Sequence, residues 1–278
     1  MTQRTWLITG ISSGFGRHMT EQLLARGERV AGTVRSLSSV DDLKARYGDQ
    51  LWLARLDVTD TSAIRSVVDA AFAALGRIDV VVNNAGYGLF GAAEEVTDEQ
   101  ITQQIQTNLI GSIQVARAVL PHLRAQGGGR ILQISTVGGQ AAFPGASLYH
   151  AGKWGIEGFA DALQQEVAGF GIGVTIVEPG GARTEFRYGS SQLAPRIAAY
   201  DGTPASMARR MLEERKAVPP GDPVKMVDIM IASVDRQPAP KRLALGSDAY
   251  TAMQRALSAR LAELEAQKDL AFSTDFPL

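Results

Sequence analysis

Short runs of β-branched and aliphatic residues alternate along the chain with longer stretches of helical periodicity, and this alternation restricts the fold more than any other feature. The runs are Thr5 to Thr9, Arg29 to Val34, Leu51 to Leu56, Asp79 to Val82, Arg130 to Ile134, Gly173 to Val177 and Arg242 to Leu245. Helical patterns lie between them at roughly residues 15–26, 39–47, 61–75, 98–125, 147–169 and 222–235. Strands separated by helices predict an α/β fold, a doubly wound parallel sheet of seven strands with helices on both faces. No repeat, low-complexity segment or linker breaks the pattern, so a single domain over residues 1–278 is expected. One stretch stands apart. From Thr184 to Pro223 the chain holds Pro195, Pro204, Pro219, Pro220 and Pro223 around one expected helix and no strand. A segment this long after a strand's carboxyl end is expected to act as a lid over the ligand site.

Composition narrows the function classes. With 278 residues, 45% of them hydrophobic, the chain can bury a sizeable core. Its 28 basic and 29 acidic side chains nearly cancel, which speaks against nucleic acid or an acidic membrane as partner. The absence of cysteine excludes disulfides, thiolate metal sites and a cysteine nucleophile. Met1-Thr2-Gln3-Arg4 leads straight into a strand-like run, with no signal-peptide pattern and no apolar stretch of membrane-spanning length, so a cytoplasmic protein is expected. His18, His122 and His150 are scattered and no His-Glu-x-x-His occurs, so no metal site is expected.

The first strand runs into Thr9-Gly10-Ile11-Ser12-Ser13-Gly14-Phe15-Gly16 and then a helix. Glycines let a chain turn tightly and bring backbone N–H groups close to a diphosphate, which the helix N-terminus also favours. The spacing is Gly-x3-Gly-x-Gly, and a glycine-rich turn without a ligand is the other reading. After the second strand, in Gly32-Thr33-Val34-Arg35-Ser36, no acidic residue is available for the ribose hydroxyls of NAD(H). The Arg35 guanidinium can pair with a 2′-phosphate, so NADP(H) is favoured and NAD(H) remains possible. A solvated arginine in a basic loop is the alternative. Tyr149 and Lys153 are four apart, on one face of a helix. A neighbouring ammonium favours the phenolate and draws its pKa down from near ~10, which suits acid-base work on an alcohol or ketone.

Taken in order, these segments resemble the short-chain dehydrogenases/reductases over nearly the whole chain. The matching pieces are Thr9 to Gly16, Asp57, Asn83-Asn84-Ala85-Gly86, Asn108, Ser135-Thr136, Tyr149/Lys153 and Pro179-Gly180. Tyr-Gly-Leu-Phe at 87–90 and Val-Glu-Pro-Gly-Gly at 177–181 are similar to a bacterial branch near the hydroxysteroid and retinol dehydrogenases. The resemblance implies a Rossmann-type fold and an oxidoreductase that works on CH–OH donors or carbonyls. It implies that Gly10, Ser13, Gly14, Phe15 and Gly16 cradle the cofactor phosphates and that Asp57 and Val58 meet the adenine. Asn84, Ala85 and Gly86 would line the nucleotide cleft; Pro179, Gly180, Ala182 and Thr184 would face the nicotinamide. Alone, Asp57 reads as a helix lead-in and Asn84 as a turn former. A homodimer or homotetramer is implied, with the Tyr149 helix in a subunit interface.

In that family a serine thirteen residues before the tyrosine holds the substrate oxygen; here the count from Tyr149 lands on Thr136. Threonine keeps the oxygen and adds a methyl with a stiffer χ1. Ser135 could substitute only if the strand end shifts register, because adjacent side chains on a strand point to opposite faces. The implied mechanism places a carbonyl between Thr136 and Tyr149 while hydride passes to or from the nicotinamide. Lys153 lowers the tyrosine's pKa and binds the ribose, and Asn108 kinks its helix and holds a water leading to Lys153. The expected pocket borders are Tyr87, Leu89 and Phe90, residues 140–144 and the 184–223 stretch. There Phe143, Phe186, Tyr188, Leu193, Ile197, Tyr200, Met207 and Met211 offer an apolar lining for a hydrophobic ketone, aldehyde or secondary alcohol. Arginines 183, 187, 196, 209 and 210 read mostly as solvated lid faces, His150 as a packing or surface residue, and Ala249, Met253, Ala256, Leu257, Leu261 and Leu264 as the stripe of a packed surface helix. Two other readings remain: a catalytically silent NADP(H)-binding redox sensor, and a sugar-nucleotide epimerase or dehydratase, whose members are longer and use another glycine spacing.

Overall fold

Seven all-parallel strands form the centre of the computed structural model, which describes residues 3–215 and 218–276. Met1 and Thr2 of the N-terminal run, residues 216 and 217 of the 184–223 stretch, and residues 277–278 lie outside the described residues. The strands are β1 (Thr5–Thr9), β2 (Arg29–Val34), β3 (Leu51–Arg55), β4 (Val80–Asn83), β6 (Gly129–Ile134), β7 (Ile172–Pro179) and β9 (Arg242–Leu245), in spatial order β3-β2-β1-β4-β6-β7-β9. Two short strands, β5 (Gly88–Phe90) and β8 (Ser191–Leu193), pair separately. Each central strand is buried on both sides, so its alternate residues feed two cores. Trp6, Ile8, Val30, Val80, Val82, Leu132 and Val177 face one core; Leu7, Ala31, Val81, Ile131, Val174 and Ile176 face the other.

Helices cover both faces. Over the first core lie α1 (Gly14–Ala25), α2 (Asp41–Tyr47) and α9 (Pro223–Ser233), through Met19, Leu23, Leu43, Met226 and Met230. Over the second lie α3 (Thr61–Leu75), α5 (Ser112–Ala125) and α6 (Ser147–Val167), through Ile64, Phe72, Val119 and Leu163. Their starts are fixed by side-chain oxygens on otherwise unpaired N–H groups: Asp60 caps α3 and Asp222 caps α9, with Pro223 at the first position. The winding direction reverses between β1 and β4, which opens a crevice at the carboxyl ends of the strands.

The sequence reading differs from the structure in three places. The single helix expected over 98–125 is α4 (Asp98–Ile105), a π-helical segment Gln106–Gly111, and α5. The 184–223 stretch does contain a strand: β8 pairs in parallel with β5. It also contains two helices, α7 (Phe186–Gly189) and α8 (Met207–Glu214). Three-residue strands without a flanking apolar period leave no trace in hydropathy. Finally, α10 (Ser247–Glu265) buries only Ala249 and Met253, while Leu257, Leu261 and Leu264 are 49%, 56% and 67% exposed. The apolar stripe is therefore buried only at its start, and the packed-stripe expectation fails beyond Met253; farther along, Arg260 still donates to the Gln140 carbonyl at 2.7 Å and lies over the Trp154 ring. Among the described residues no helix is long and apolar enough to cross a membrane, and no cluster of metal-ligating side chains occurs.

Candidate active site

The crevice is a cavity of about 840 Å³, in the upper part of the range for small-molecule sites. Its floor begins at the glycine turn. Gly10 and Gly14 take φ of 75° and 56°, a region open chiefly to glycine. A Cβ on Gly16 would stand 2.2 Å from the Gly10 carbonyl and 2.6 Å from Asn84 Nδ2. Ser13 precedes α1 without capping it through its side chain, and Ser13, Gly14 and Phe15 at the start of the helix line the cavity. Over Gly14 the nearest atom to an added Cβ is Thr184 Cβ, at 3.9 Å. This open cradle at a helix N-terminus fits the diphosphate of a nicotinamide dinucleotide, and the exposed Arg35 stands on the same cavity wall.

Asn84 staples the reversal point together. Its Nδ2 donates to the carbonyls of Thr9 (2.8 Å) and Gly10 (3.0 Å), and the Thr9 hydroxyl accepts from the N–H groups of Asn84 and Ala85, both at 3.0 Å. Asp57 accepts from Thr59 N–H and hydroxyl at 3.0 and 2.8 Å, and buried Val58 backs against Gly111. Gly10, Ser13, Gly14, Phe15, Arg35, Asp57, Val58, Asn84, Ala85, Gly86, Thr136, Tyr149, Lys153, Pro179, Gly180, Ala182 and Thr184 all reach the cavity wall. Gly16 and Asn108 lie behind it. Asn108, buried in the π segment, grips Tyr87 by both backbone groups: Nδ2 donates to its carbonyl at 2.7 Å and Oδ1 accepts its N–H at 3.1 Å. The expected kink is therefore a one-residue bulge, and the asparagine's partner here is the chain after β4.

At the far end of the cavity, β6 delivers two adjacent hydroxyls to opposite sides. Ser135 points away and donates to the Glu157 carboxylate. Thr136 faces the cavity, donating to the Pro179 carbonyl at 3.3 Å and lying close enough to Tyr149 to act on its phenol. Tyr149 is buried in the first turn of α6, its ring centroid 5.9 Å from that of Phe90 and 6.1 Å from that of Phe186. Burial pushes its pKa up, and the Thr136 hydroxyl pulls it back only in part. Lys153 Nζ donates to the Ile134 carbonyl at 3.0 Å and stands 5.9 Å from the Tyr149 ring centre. Burial brings the lysine down to about 8, against the opposing charge of Glu157.

The apolar end is formed by Tyr87, Phe90, Phe143, Phe186, Met207 and Met211. Leu89, expected on this wall, is fully buried beneath it with Val96 and Ala194. Tyr188, Leu193, Ile197 and Tyr200 also stand off the cavity: Leu193 ends the strand paired with β5, and the Tyr200 hydroxyl donates to Glu94 at 2.8 Å. Of arginines 183, 187, 196, 209 and 210, Arg187 alone reaches the lining. Arg196 pairs with Asp201, and Arg209, expected on a solvated face, is buried against Glu95 at 3.3 Å and the Ala194 carbonyl at 2.8 Å. His150, read as a packing or surface residue, is the packing one: it is buried and reaches the cavity lining. Sequence reasoning passed over Gln103 and Thr107, which line the cavity one turn apart, and Asp248, which accepts the Gly181 N–H at 2.7 Å. The four-residue spacing beside Asn108 was the available signal for the first two.

Comparison with known proteins agrees with this geometry. Residues 4–193 match the short chain dehydrogenase family. The oxidoreductase BOA17 of Botryotinia fuckeliana is 35% identical over 273 residues, 98% of this chain and 99% of that protein. A 3-ketodihydrosphingosine reductase of Bacteroides thetaiotaomicron is 39% identical over 180 residues, 65% of this chain and 64% of that one. The crystal structure of a short-chain dehydrogenase from Streptomyces avermitilis superposes with a TM-score of 0.92 at 38% identity, covering 99% of each chain. More distant structures carry nicotinamide cofactors. A serine dehydrogenase complexed with NADP+ (TM-score 0.73, 26% identity, 87% of this chain and 94% of that one) and a Burkholderia phymatum short-chain dehydrogenase/reductase in complex with NAD (0.77, 20%, 99% and 98%) share the fold. The chain belongs to the short-chain dehydrogenase/reductase family and is an NAD(P)-dependent oxidoreductase.

Proposed function

We propose that the protein is an NADP(H)-dependent carbonyl reductase or alcohol dehydrogenase acting on a hydrophobic ketone, aldehyde or secondary alcohol, with Tyr149 as general acid and base. The observation that carries this reading is the convergence of the Thr136 hydroxyl and the Tyr149 phenol on one wall of the cavity, with Lys153 one helical turn away. When bound, the nicotinamide supplies or accepts the hydride at the carbonyl carbon. Thr136 holds the substrate oxygen by a hydrogen bond. Tyr149, whose pKa burial raises, gives its proton to that oxygen in reduction; in oxidation its phenolate takes the alcohol's proton. A phenolate formed in the step lies within reach of the Lys153 ammonium, whose charge then favours it. Asn108 keeps Tyr87, at the substrate end, in place.

Arg35 supports NADP(H), since a guanidinium pairs with a 2′-phosphate and no carboxylate stands at that strand end. The aromatic and methionine lining supports an apolar substrate, as does a relative named for reducing a ketone. The 184–223 stretch serves as the lid, with Met207 and Met211 of α8 over the cavity. The test is NADPH oxidation, with NADH in parallel, over apolar ketones, aldehydes, quinones and steroids, for wild type and Tyr149→Phe. Turnover that survives the substitution would refute the assignment; tight NADPH binding with silence on every substrate would indicate a redox sensor.

A further inference from the structure

Beside the stripe of α6 that carries Tyr149 and Lys153 runs a second one, bearing His150 and Glu157 seven residues apart. Both are buried, at 7% and 2% exposure, and both end on the turn that follows Thr136. His150 Nδ1 donates to the Gly138 carbonyl at 2.8 Å, and Nε2 accepts the Phe143 N–H at 3.1 Å. The Glu157 carboxylate accepts from the Ser135 hydroxyl, the Gln140 amide and the Arg242 guanidinium. The turn is shaped around these groups. A Cβ on Gly138 would stand 2.5 Å from the imidazole, and one on Gly139 would stand 1.8 Å from Glu157 Oε1. The charges facing Glu157 are Lys153 and Asp161 on its own helix, Glu178 on β7 and Arg242 on β9, whose guanidinium also binds Asp161 and Glu178. Two buried carboxylates, Glu157 and Glu178, share the half-buried Arg242 guanidinium, and a charge-assisted network anchored in this way is stiff.

We propose that Glu157, seconded by His150, is a positioning residue. It clamps the turn Val137–Gly139 to α6 and so keeps the Thr136 hydroxyl in register with the Tyr149 phenol. The inference rests on the roles given above to Thr136 and Tyr149. Those two groups arrive on separate elements, Thr136 as the residue that opens the turn and Tyr149 on the helix. Glu157 is the point where strand end, turn, helix and edge strand are tied together. A misplacement of about 1 Å between reacting groups can lower a rate on the order of a hundredfold.

The test uses the full chain, NADPH and phenanthrenequinone, an apolar dicarbonyl. Glu157→Gln removes the charge; Gly139→Ala leaves the carboxylate intact but puts a methyl where it sits. Each is expected to lower kcat about tenfold with KM and NADPH Kd changed less than about twofold. Each should also speed hydrogen exchange in residues 134–145 and leave β1 and α1 protected. In a Thr136→Ala background Glu157→Gln should lower kcat less than about twofold further, because its effect passes through that hydroxyl. A merely structural glutamate would give a full additional loss there, and that result overturns the clamp. If Glu157→Gln does not fold, Gly139→Ala carries the test alone. Where Tyr149→Phe and Thr136→Val are inactive yet Gly139→Ala matches wild type in rate and exchange, the clamp is wrong and the catalytic reading stands. Where Tyr149→Phe turns over normally, the catalytic reading itself fails. Should wild type leave the quinone unreduced, unchanged exchange in residues 134–145 of Gly139→Ala overturns the clamp.

Discussion

Ser135 and Thr136 are neighbours in the chain with opposite environments: one hydroxyl is sealed against the Glu157 carboxylate, the other opens onto the cavity beside Tyr149. Strand alternation is enough to produce this, and it separates two otherwise similar side chains by role. Thr136→Val, which preserves shape and removes the hydroxyl, is expected to lower kcat by a hundredfold or more, on the order of ~3 kcal/mol of lost transition-state stabilisation. Thr136→Ser should retain or raise activity. Ser135→Ala should reduce kcat by less than about tenfold. Steady-state kinetics on the three variants decide it, and an active Thr136→Val with an inactive Ser135→Ala would reverse the assignment.

Lys153 ties activity and stability to pH with opposite signs. Its folded pKa is about 8 against an ordinary 10.5, so the unfolded chain holds more protons between those values. Its contribution to stability therefore rises with pH across that window. Below about pH 8 the buried ammonium costs about 3 kcal/mol at ~1.4 kcal/mol per pH unit. Lys153→Met should be more stable than wild type at pH 7, by up to that amount, with the two curves converging toward pH 10.5. Activity should fall in wild type as the pH passes 8, when the ammonium is lost. Denaturant titrations at several pH values check the first point. A variant less stable than wild type at pH 7 contradicts it.

Arg35 is exposed at the rim, free of a protein carboxylate in the described structure. Arg35→Asp is expected to weaken NADPH binding at least about tenfold while leaving NADH binding unchanged or stronger, the loss being that of a charge-assisted contact. Fluorescence titration of both cofactors measures it; equal weakening of the two would remove the arginine from the 2′-phosphate.

Arg209 pins α8 to the body of the protein through Glu95 and the carbonyls of Ala194 and Pro195. Arg209→Met leaves a buried carboxylate without its cation and should destabilise the protein by about 3–5 kcal/mol. Proteolysis should then cut first within 184–215. Adding Glu95→Gln should recover part of the loss, and cleavage distributed evenly along the chain would argue against a local anchor.

The seven strands, the glycine turn and the positions of Tyr149 and Lys153 were legible because each follows from local rules: period, turn chemistry and helical spacing. Thr136 was found by a count and a parity argument. The rest depended on contacts distant in sequence. Nothing near Glu157 announces Arg242, eighty-five residues later, and Arg209 reads as solvated until the chain folds back to Glu95. The surroundings of Tyr149 belong with these: spacing placed a cation nearby, but not the burial that pushes the phenol's pKa up or the Ile134 carbonyl to which Lys153 donates.

The π segment Gln106–Gly111 also bears on how this chain can change. A single additional residue in a helix rotates everything beyond it by about 100°. Downstream, Val115, Ala116, Val119 and Leu123 form the stripe of α5 that meets the sheet. Deleting one residue to regularise the helix would swing that stripe toward solvent and empty part of a core. Asn108 thus occupies a frame that packing defends independently of chemistry, and mutational drift by single deletions is closed to it. Substitution of the asparagine remains open, deletion of the bulge does not.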